Sequence, residues 1–172
     1  AFVKEHLASA GGAKAALLFT ILAAARSGEV RGMVWDEIDF DKRLWIIRAS
    51  RMKAAREHRV PLSEQALIIL NGQARLNELV FPALRGGQLS DMALTQILRK
   101  AQAPSDAPGR VATVHGFRSS FRNWAADNGV DSDVAERALA HTIKNRTQAS
   151  YERTDRLGVR QRVMQRWADF VL

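Results

Sequence analysis

Cysteine is absent from the 172 residues, and tyrosine occurs once, as Tyr151. Without cysteine the chain can form neither a disulfide nor a thiolate zinc site, and a reducing cytoplasm is compatible with this composition. The longest apolar run, residues 15–25 interrupted only by Thr20, is about half of the roughly 20 residues that span a bilayer, so it predicts a buried helix. No basic region precedes a hydrophobic segment at the start, so we expect no signal peptide and no membrane segment.

Patterns typical of several enzyme classes are also missing. Gly11-Gly12-Ala13-Lys14 lacks the spacing and the hydroxyl of a P-loop, which disfavours a nucleoside triphosphate site. Paired carboxylates for glycoside or two-metal chemistry do not cluster. The histidines are not at metal-ligand spacing either, since they are His6, His58, His115 and His141. We therefore expect no metal and no cofactor, and a metal-dependent nuclease is disfavoured.

Charge is strongly unbalanced, with 26 lysines and arginines against 18 acidic residues and a net charge of +8. Most of the cations are arginines, whose planar guanidinium matches phosphate oxygens two at a time. Nucleic acid is therefore the first partner to consider, the alternative being a basic surface that only keeps the protein soluble. A hydrophobic content of 47% is enough for one core, so residues 1–172 are expected to form a single domain. Because the chain starts within a helical pattern and without methionine, we expect it to be a fragment of a longer chain.

Hydrophobic periodicity predicts an α+β fold, mainly α-helical with a small three-stranded antiparallel sheet. Short strands are expected at residues 38–40, 44–47 and 60–62. Helices are predicted over 4–9, 13–25 and 29–34, after a Ser63 cap, over 91–101 after a Ser90 cap, from 114 to a stop at Asn128-Gly129, and over 131–139 and 157–171.

The predicted helix that begins at Val114 has two contrasting sides. One side is an apolar stripe at the spacing of a buried face, and the other presents an imidazole and two guanidiniums. The apolar residues are Phe117, Phe121 and Trp124, and the cationic side carries His115, Arg118 and Arg122. Such a helix is a rigid platform for an anion.

A basic segment, residues 48–59, joins the second and third predicted strands. We expect this hairpin tip to lie over nucleic acid, the alternative being a solvated loop. The residues expected to bind DNA are Arg51, Arg56, Arg59, Arg122, Lys144 and Arg146.

Six residues of the chain fit metal-free phosphoryl transfer from DNA. That reaction needs cations on the non-bridging oxygens, a proton donor for the leaving hydroxyl and an activated nucleophile. The candidate catalytic residues are Arg26, Lys53, His115, Arg118, His141 and Tyr151. Taken singly, each also has an ordinary structural explanation, such as a capping cation, a core histidine or a packing tyrosine.

The order of these residues and the sequences around them resemble the tyrosine recombinase (phage integrase) family along most of the chain. The matching stretches are Ala25–Glu29 with Val34–Asp39, Lys53 with His58–Ser63, His115–Arg118, and Leu139–His141 with Tyr151. Within the family, Arg51-Met52-Lys53 and the ending Trp167-Ala168-Asp169 look most like prophage and genomic-island integrases. One departure is Ala23-Ala24-Ala25, where the family commonly has a Thr-Gly turn.

The resemblance implies a site-specific recombinase catalytic domain. Tyr151 would attack a scissile phosphate and form a 3′-phosphotyrosyl link, while Arg26 and Arg118 hold the non-bridging oxygens. His141 would add a hydrogen bond and Lys53 would protonate the leaving oxygen. A further implied role is that of His115, which would take the tyrosine proton or support the phosphate.

The resemblance also implies a setting. The partner would be double-stranded DNA at attachment sites, bound by a homotetramer of a protein that is monomeric in isolation, in the cytoplasm of a bacterial or phage-infected cell. No metal, ATP or cofactor would be needed, and the N-terminal DNA-binding part of such enzymes is missing. The alternatives are a type IB topoisomerase-like strand transferase and a non-catalytic DNA-binding module. The last helix is expected to pack either on a neighbouring protomer or on its own core.

Overall fold

The computed structural model describes residues 2–3, 11–141 and 155–172. Helices α1 to α7 run over Gly12–Leu22, Ser27–Arg31, Glu64–Asn71, Ala93–Lys100, Gly116–Asp127, Ser132–Ala138 and Leu157–Val171. Strands β1 to β3, Ile38–Asp39, Leu44–Ile47 and His58–Pro61, form an antiparallel sheet in the order β1-β2-β3. The predicted α+β fold with a small three-stranded sheet is confirmed for the described residues. The helix predicted over residues 4–9 lies outside them.

Helix α1 is the centre of the fold. Every residue from Ala15 to Leu22 is buried, as its nearly continuous apolar sequence predicts. The ring of Phe19 packs edge-on against Trp45 of β2 with the ring centroids 5.7 Å apart. Trp167 of α7 donates its indole Nε1–H to the carbonyl of Ile21 at 2.8 Å. The last helix therefore packs on the core of its own chain.

Helix α1 ends three residues earlier than predicted. The N–H of Ala24 donates to the carbonyl of Ile21 at 3.1 Å, and that of Ala25 donates to Thr20 at 3.2 Å. These two bonds define a Schellman motif, in which the residue after the cap takes the left-handed conformation that glycine adopts most easily. Here that residue is Ala24, with φ of +48°. The turn sends the chain directly into α2, with Arg26 as its N-cap.

Helix α6 ends in the same way. Ala140 has φ of +50° and donates to the carbonyl of Arg137 at 3.1 Å, while the N–H of His141 donates to Glu136 at 3.0 Å. The helix begins as predicted, because the carboxylate of Asp131 accepts from the first backbone N–H groups. The two Schellman turns bring two helix C-termini to α5, where the candidate site lies.

Two other helix starts were predicted from capping serines. Ser63 caps α3, its hydroxyl accepting from the Ala66 N–H at 3.3 Å, as predicted. The Ser90 cap was predicted wrongly, because α4 starts at Ala93 with Met92 as its N-cap. Across the described part of the chain, the helices are all too short or too polar to cross a bilayer.

Candidate active site

Arg118 occupies the centre of the site, enclosed between the ends of α1 and α6. Its side chain is only 4% exposed. Nη1 donates to the carbonyl of Ala24 and Nη2 to that of Leu139, both at 2.5 Å. Carbonyls at a helix C-terminus carry partial negative charge and favour a cation. The two helix ends therefore fix the plane of the guanidinium and compensate its charge.

This burial corrects the prediction of a cationic helix side open to solvent. Phe121 and Trp124 are buried as predicted, and Phe117 is half-buried. Arg118 is buried as well, because the turns at Ala24 and at residues 139–141 close over it. The platform is a recessed guanidinium rather than an exposed row of cations.

The electrostatics of Arg118 show a site that is short of negative charge. The pKa of its guanidinium is lowered to about 10, chiefly by burial and also by repulsion from Arg26, while Glu29 and Glu136 act in the opposite direction. Arg118 remains protonated at neutral pH. An anion bound beside both guanidiniums would relieve their repulsion.

Arg26 is oriented by Glu29, three residues further along the chain. Its Nη1 lies 2.8 Å from Oε1 of Glu29, and its backbone N–H donates to Oε2 of the same carboxylate at 3.0 Å. Glu29 is 8% exposed and the Arg26 side chain 31% exposed. A buried carboxylate thus aims a partly open guanidinium.

His141 completes this group. Its Nε2 lies 3.2 Å from Nη2 of Arg118, and its Nδ1 lies 2.6 Å from Oε2 of Glu136. The neutral tautomer that satisfies both contacts has its proton on Nδ1 and accepts from Arg118 at Nε2. Glu136 also accepts from Nε of Arg122 at 2.8 Å. The structure therefore brings Arg26, Arg118 and His141 together.

The other candidate catalytic residues are placed differently. Lys53 is exposed in the hairpin between β2 and β3, and His115 is exposed immediately before α5. Neither side chain makes a hydrogen bond or ion pair with another described residue. Tyr151 lies outside the described residues, as do Lys144 and Arg146 among the predicted DNA-binding residues.

Of the DNA-binding candidates that the structure describes, Arg51 has an internal role. One of its terminal nitrogens binds the buried carboxylate of Glu37, and the other donates to the carbonyl of Glu29 at 2.6 Å. Arg59 pairs with Asp155 and Arg122 with Glu136, yet both side chains stay more than 40% exposed. Arg56 is exposed and has no partner among the described residues.

Two residues that sequence reasoning did not select lie beside the site. His58 of β3 is hydrogen-bonded to the backbone of Ala138, and burial lowers its pKa to about 3, assisted by the charges of Arg160, Arg118 and Arg26. Arg160 of α7 is 1% exposed, although a charged residue is normally exposed to solvent. One signal was available, since Arg160 lies three and seven residues before the buried Val163 and Trp167 and so shares their face.

Metal ligation has no basis in the part of the chain that the structure describes, where no three histidine, aspartate or glutamate side chains gather in a form that could hold an ion. The recognisable feature is instead a paired guanidinium site with a carboxylate-held imidazole, of the kind that binds a phosphate.

Comparison with known proteins identifies the class. Residues 6–156 match the Phage integrase family, and the chain belongs to that family. It is 39% identical to the prophage integrase IntA of Escherichia coli K12 over 159 residues, which are 90% of this chain and 37% of IntA. It is 37% identical to the integrase of Enterobacteria phage P4, covering 91% of this chain and 39% of that protein. The chain thus spans about two fifths of the length of these relatives.

Solved structures share the fold. A lambda integrase tetramer bound to a Holliday junction matches 84% of this chain and 46% of its own, with a TM-score of 0.64 and 18% identity. The XerA recombinase matches 90% of this chain and 62% of its own, with a TM-score of 0.59 and 18% identity. The predicted fold and the predicted prophage-integrase resemblance are both confirmed.

Proposed function

We propose that this chain is the catalytic part of a site-specific recombinase that cuts and rejoins DNA strands through a 3′-phosphotyrosyl intermediate. The observation that carries the proposal is Arg118, buried between two helix ends and adjacent to Arg26 and His141. Membership of the phage integrase family and the integrase names of the relatives support the same function. They do not favour a topoisomerase-like enzyme or a non-catalytic module.

In the proposed reaction the scissile phosphate binds between Arg26 and Arg118. Two of the Arg118 N–H groups already donate to carbonyls, while its Nε has no partner among the described residues. These remaining donors and the partly open Arg26 guanidinium would bind the non-bridging oxygens. Each charge-assisted donor of this kind contributes about 10²–10³ in rate, because negative charge grows on those oxygens in the transition state.

Tyr151 is the proposed nucleophile. Its phenolic oxygen attacks phosphorus, the bond to the 5′-oxygen of the next nucleotide breaks, and a tyrosine–phosphate ester replaces it. Lys53 gives a proton to the departing oxygen, and His115 accepts the phenol proton or supports the phosphate. A phenol with an ordinary pKa of about 10 is protonated at neutral pH, so this help is needed. Because the new ester retains the energy of the broken one, rejoining requires neither ATP nor a metal.

His141 is proposed to bind the same phosphate, held by Glu136. A phosphate oxygen would compete with Nε2 for the Arg118 N–H, and a proton on Nε2 would then complete a hydrogen bond to the phosphate. Glu136 holds the imidazole in position for this contact, because its carboxylate lies 2.6 Å from Nδ1.

The proposed partner is double-stranded DNA at attachment sites, in the cytoplasm of a bacterial or phage-infected cell. Backbone contacts are assigned to Arg56, Arg59, Arg122, Lys144 and Arg146, and Arg51 is reassigned to the interior because its guanidinium is occupied. A tetramer on DNA formed from isolated monomers is proposed, in line with the lambda integrase tetramer that shares the fold.

The test is covalent trapping on supercoiled plasmid in EDTA, comparing the chain with its Tyr151→Phe variant. The proposal predicts relaxed plasmid and a protease-sensitive protein–DNA adduct from the first protein only. An adduct from both proteins, or from neither at protein concentrations that saturate the plasmid, contradicts it.

A further inference from the structure

Asp155 is held by two arginines at the position where the described chain resumes. Its Oδ1 accepts from Nη1 of Arg160 at 2.6 Å, and its Oδ2 lies 3.0 Å from Nε of Arg59. The other terminal nitrogen of Arg160 donates to the Arg59 carbonyl at 2.5 Å. Asp155, Arg59 and Arg160 thus close a ring of contacts, the Asp155 clamp, that ties the start of α7 to β3.

Packing alone does not explain a guanidinium at this position. Arg160 is 1% exposed, and burial lowers its pKa while Asp155 opposes that effect. Its neighbours on the same face of α7, Val163 and Trp167, are core residues. An apolar side chain at such a position is often equal or better for stability than a buried ion pair. The packing of α7 therefore does not need this buried ion pair, which indicates a further role for the clamp.

Strand β3 also holds the chain on the other side of residues 142–154. His58, the residue before Arg59, is hydrogen-bonded to the backbone of Ala138. The next carbonyl, that of Leu139, accepts from Arg118. One strand therefore contacts the chain at residue 138 and again at residue 155.

We propose that Asp155 and Arg160 are positioning residues, which anchor the chain to β3 so that Tyr151 meets the phosphate held by Arg118. This inference rests on the proposed function. Asp155 lies four positions after Tyr151 in the sequence, which allows at most about 14 Å of extended chain between them. Fixing Asp155 therefore limits where the attacking oxygen can travel and reduces the orientational freedom that is lost on reaction.

The test uses Asp155→Asn and Arg160→Gln in the 172-residue chain. We expect single-turnover adduct formation at saturating plasmid to fall about 10- to 100-fold, because small misplacements of a reacting group are costly. The Kd for a fluorescent duplex should stay within about twofold, because neither side chain is assigned to DNA. The matched control is Arg162→Gln, which removes the same charge from an exposed position of α7 and should react at the wild-type rate.

The double variant separates a shared clamp from two independent effects. If both residues act through one clamp, Asp155→Asn with Arg160→Gln is no slower than the worse single variant, whereas independent effects multiply. Asp155→Asn, at a 28% exposed side chain, decides the matter if thermal unfolding shows that Arg160→Gln does not fold. Wild-type rates in Asp155→Asn, or an equal loss of DNA binding, overturn the inference. Failure of the wild-type chain to form any adduct refutes the proposed function instead.

Discussion

The Nη2 atom of Arg118 lies 3.2 Å from Nε2 of His141, and the same nitrogen donates to the carbonyl of Leu139, two residues before that histidine. A single guanidinium nitrogen thus contacts both the end of α6 and the imidazole that follows it. The proposed phosphate site and the turn that carries His141 are consequently one unit. Changes to either should alter the other.

Arg118→Lys should abolish most strand cleavage. A lysine ammonium is a point charge on a flexible stem and cannot hold the Ala24 and Leu139 carbonyls while also binding a phosphate. We expect adduct formation to fall by about 10²–10³. The exposed Arg162→Lys is the control for the chemical change itself, and unchanged cleavage by Arg118→Lys would refute the phosphate role.

Glu136→Gln should slow cleavage without weakening DNA binding to the same degree. A glutamine has a single side-chain oxygen and cannot accept from both Arg122 and His141 as the carboxylate does. A hydrogen bond to a charged group contributes about 1.5–3 kcal/mol, so we expect cleavage about 10- to 100-fold slower. Single-turnover rates at saturating DNA measure this, and a wild-type rate would remove Glu136 from the account.

The sequence predicts the contacts of this site that are made between nearby side chains, but not those made by backbone carbonyls. The contact of Arg26 with Glu29 and that of His141 with Glu136 join residues only three and five positions apart, so both follow from local structure. The burial of Arg118 was not predictable, because its partners are backbone carbonyls, one of them 94 residues away. Every residue has a backbone carbonyl, so the sequence does not show which carbonyls will accept from a buried arginine.

The same limit applies to the rest of the fold. The apolar run of α1 predicts its burial, and an alternating pattern predicts the sheet. The early end of α1 was missed because Ala24 takes a left-handed conformation that usually requires glycine. The burial of Arg160 is unexpected because a charged residue is normally solvent-exposed, and its contacts with Asp155 and Arg59 explain it.

His58 should make the fold sensitive to acid. Its pKa is about 3 in the folded chain against an ordinary 6.5, so below pH 6.5 the unfolded chain binds a proton that the folded chain does not. The free energy of unfolding should therefore fall as pH falls from about 6.5 towards 3, by up to about 1.4 kcal/mol per pH unit from this group.

Urea unfolding of wild type and His58→Gln at several pH values measures that contribution. The difference in slope between the two proteins isolates His58 from the carboxylates, and His115→Gln, at an exposed histidine, serves as the control. Parallel stability curves for wild type and His58→Gln would show that His58 titrates normally.

Substitution of Arg51 should change the stability of the fold, whereas substitution of Arg56 should change DNA binding. Arg51→Ala leaves the buried Glu37 carboxylate without its cation, a change that typically costs about 3 kcal/mol and lowers Tm. Arg56→Ala should leave Tm unchanged and reduce the salt dependence of duplex binding by about one counterion. The reverse pattern would return Arg51 to the DNA interface.

The central claim is that Tyr151 forms an ester with a DNA 3′-phosphate, and mass spectrometry of the trapped adduct tests it most directly. After nuclease and protease digestion, the account predicts a nucleotide on the peptide containing Tyr151, joined through its 3′-phosphate. The other DNA end should carry a free 5′-hydroxyl that a polynucleotide kinase labels without prior phosphatase. A nucleotide on any other residue, or a link through a 5′-phosphate, would contradict the account.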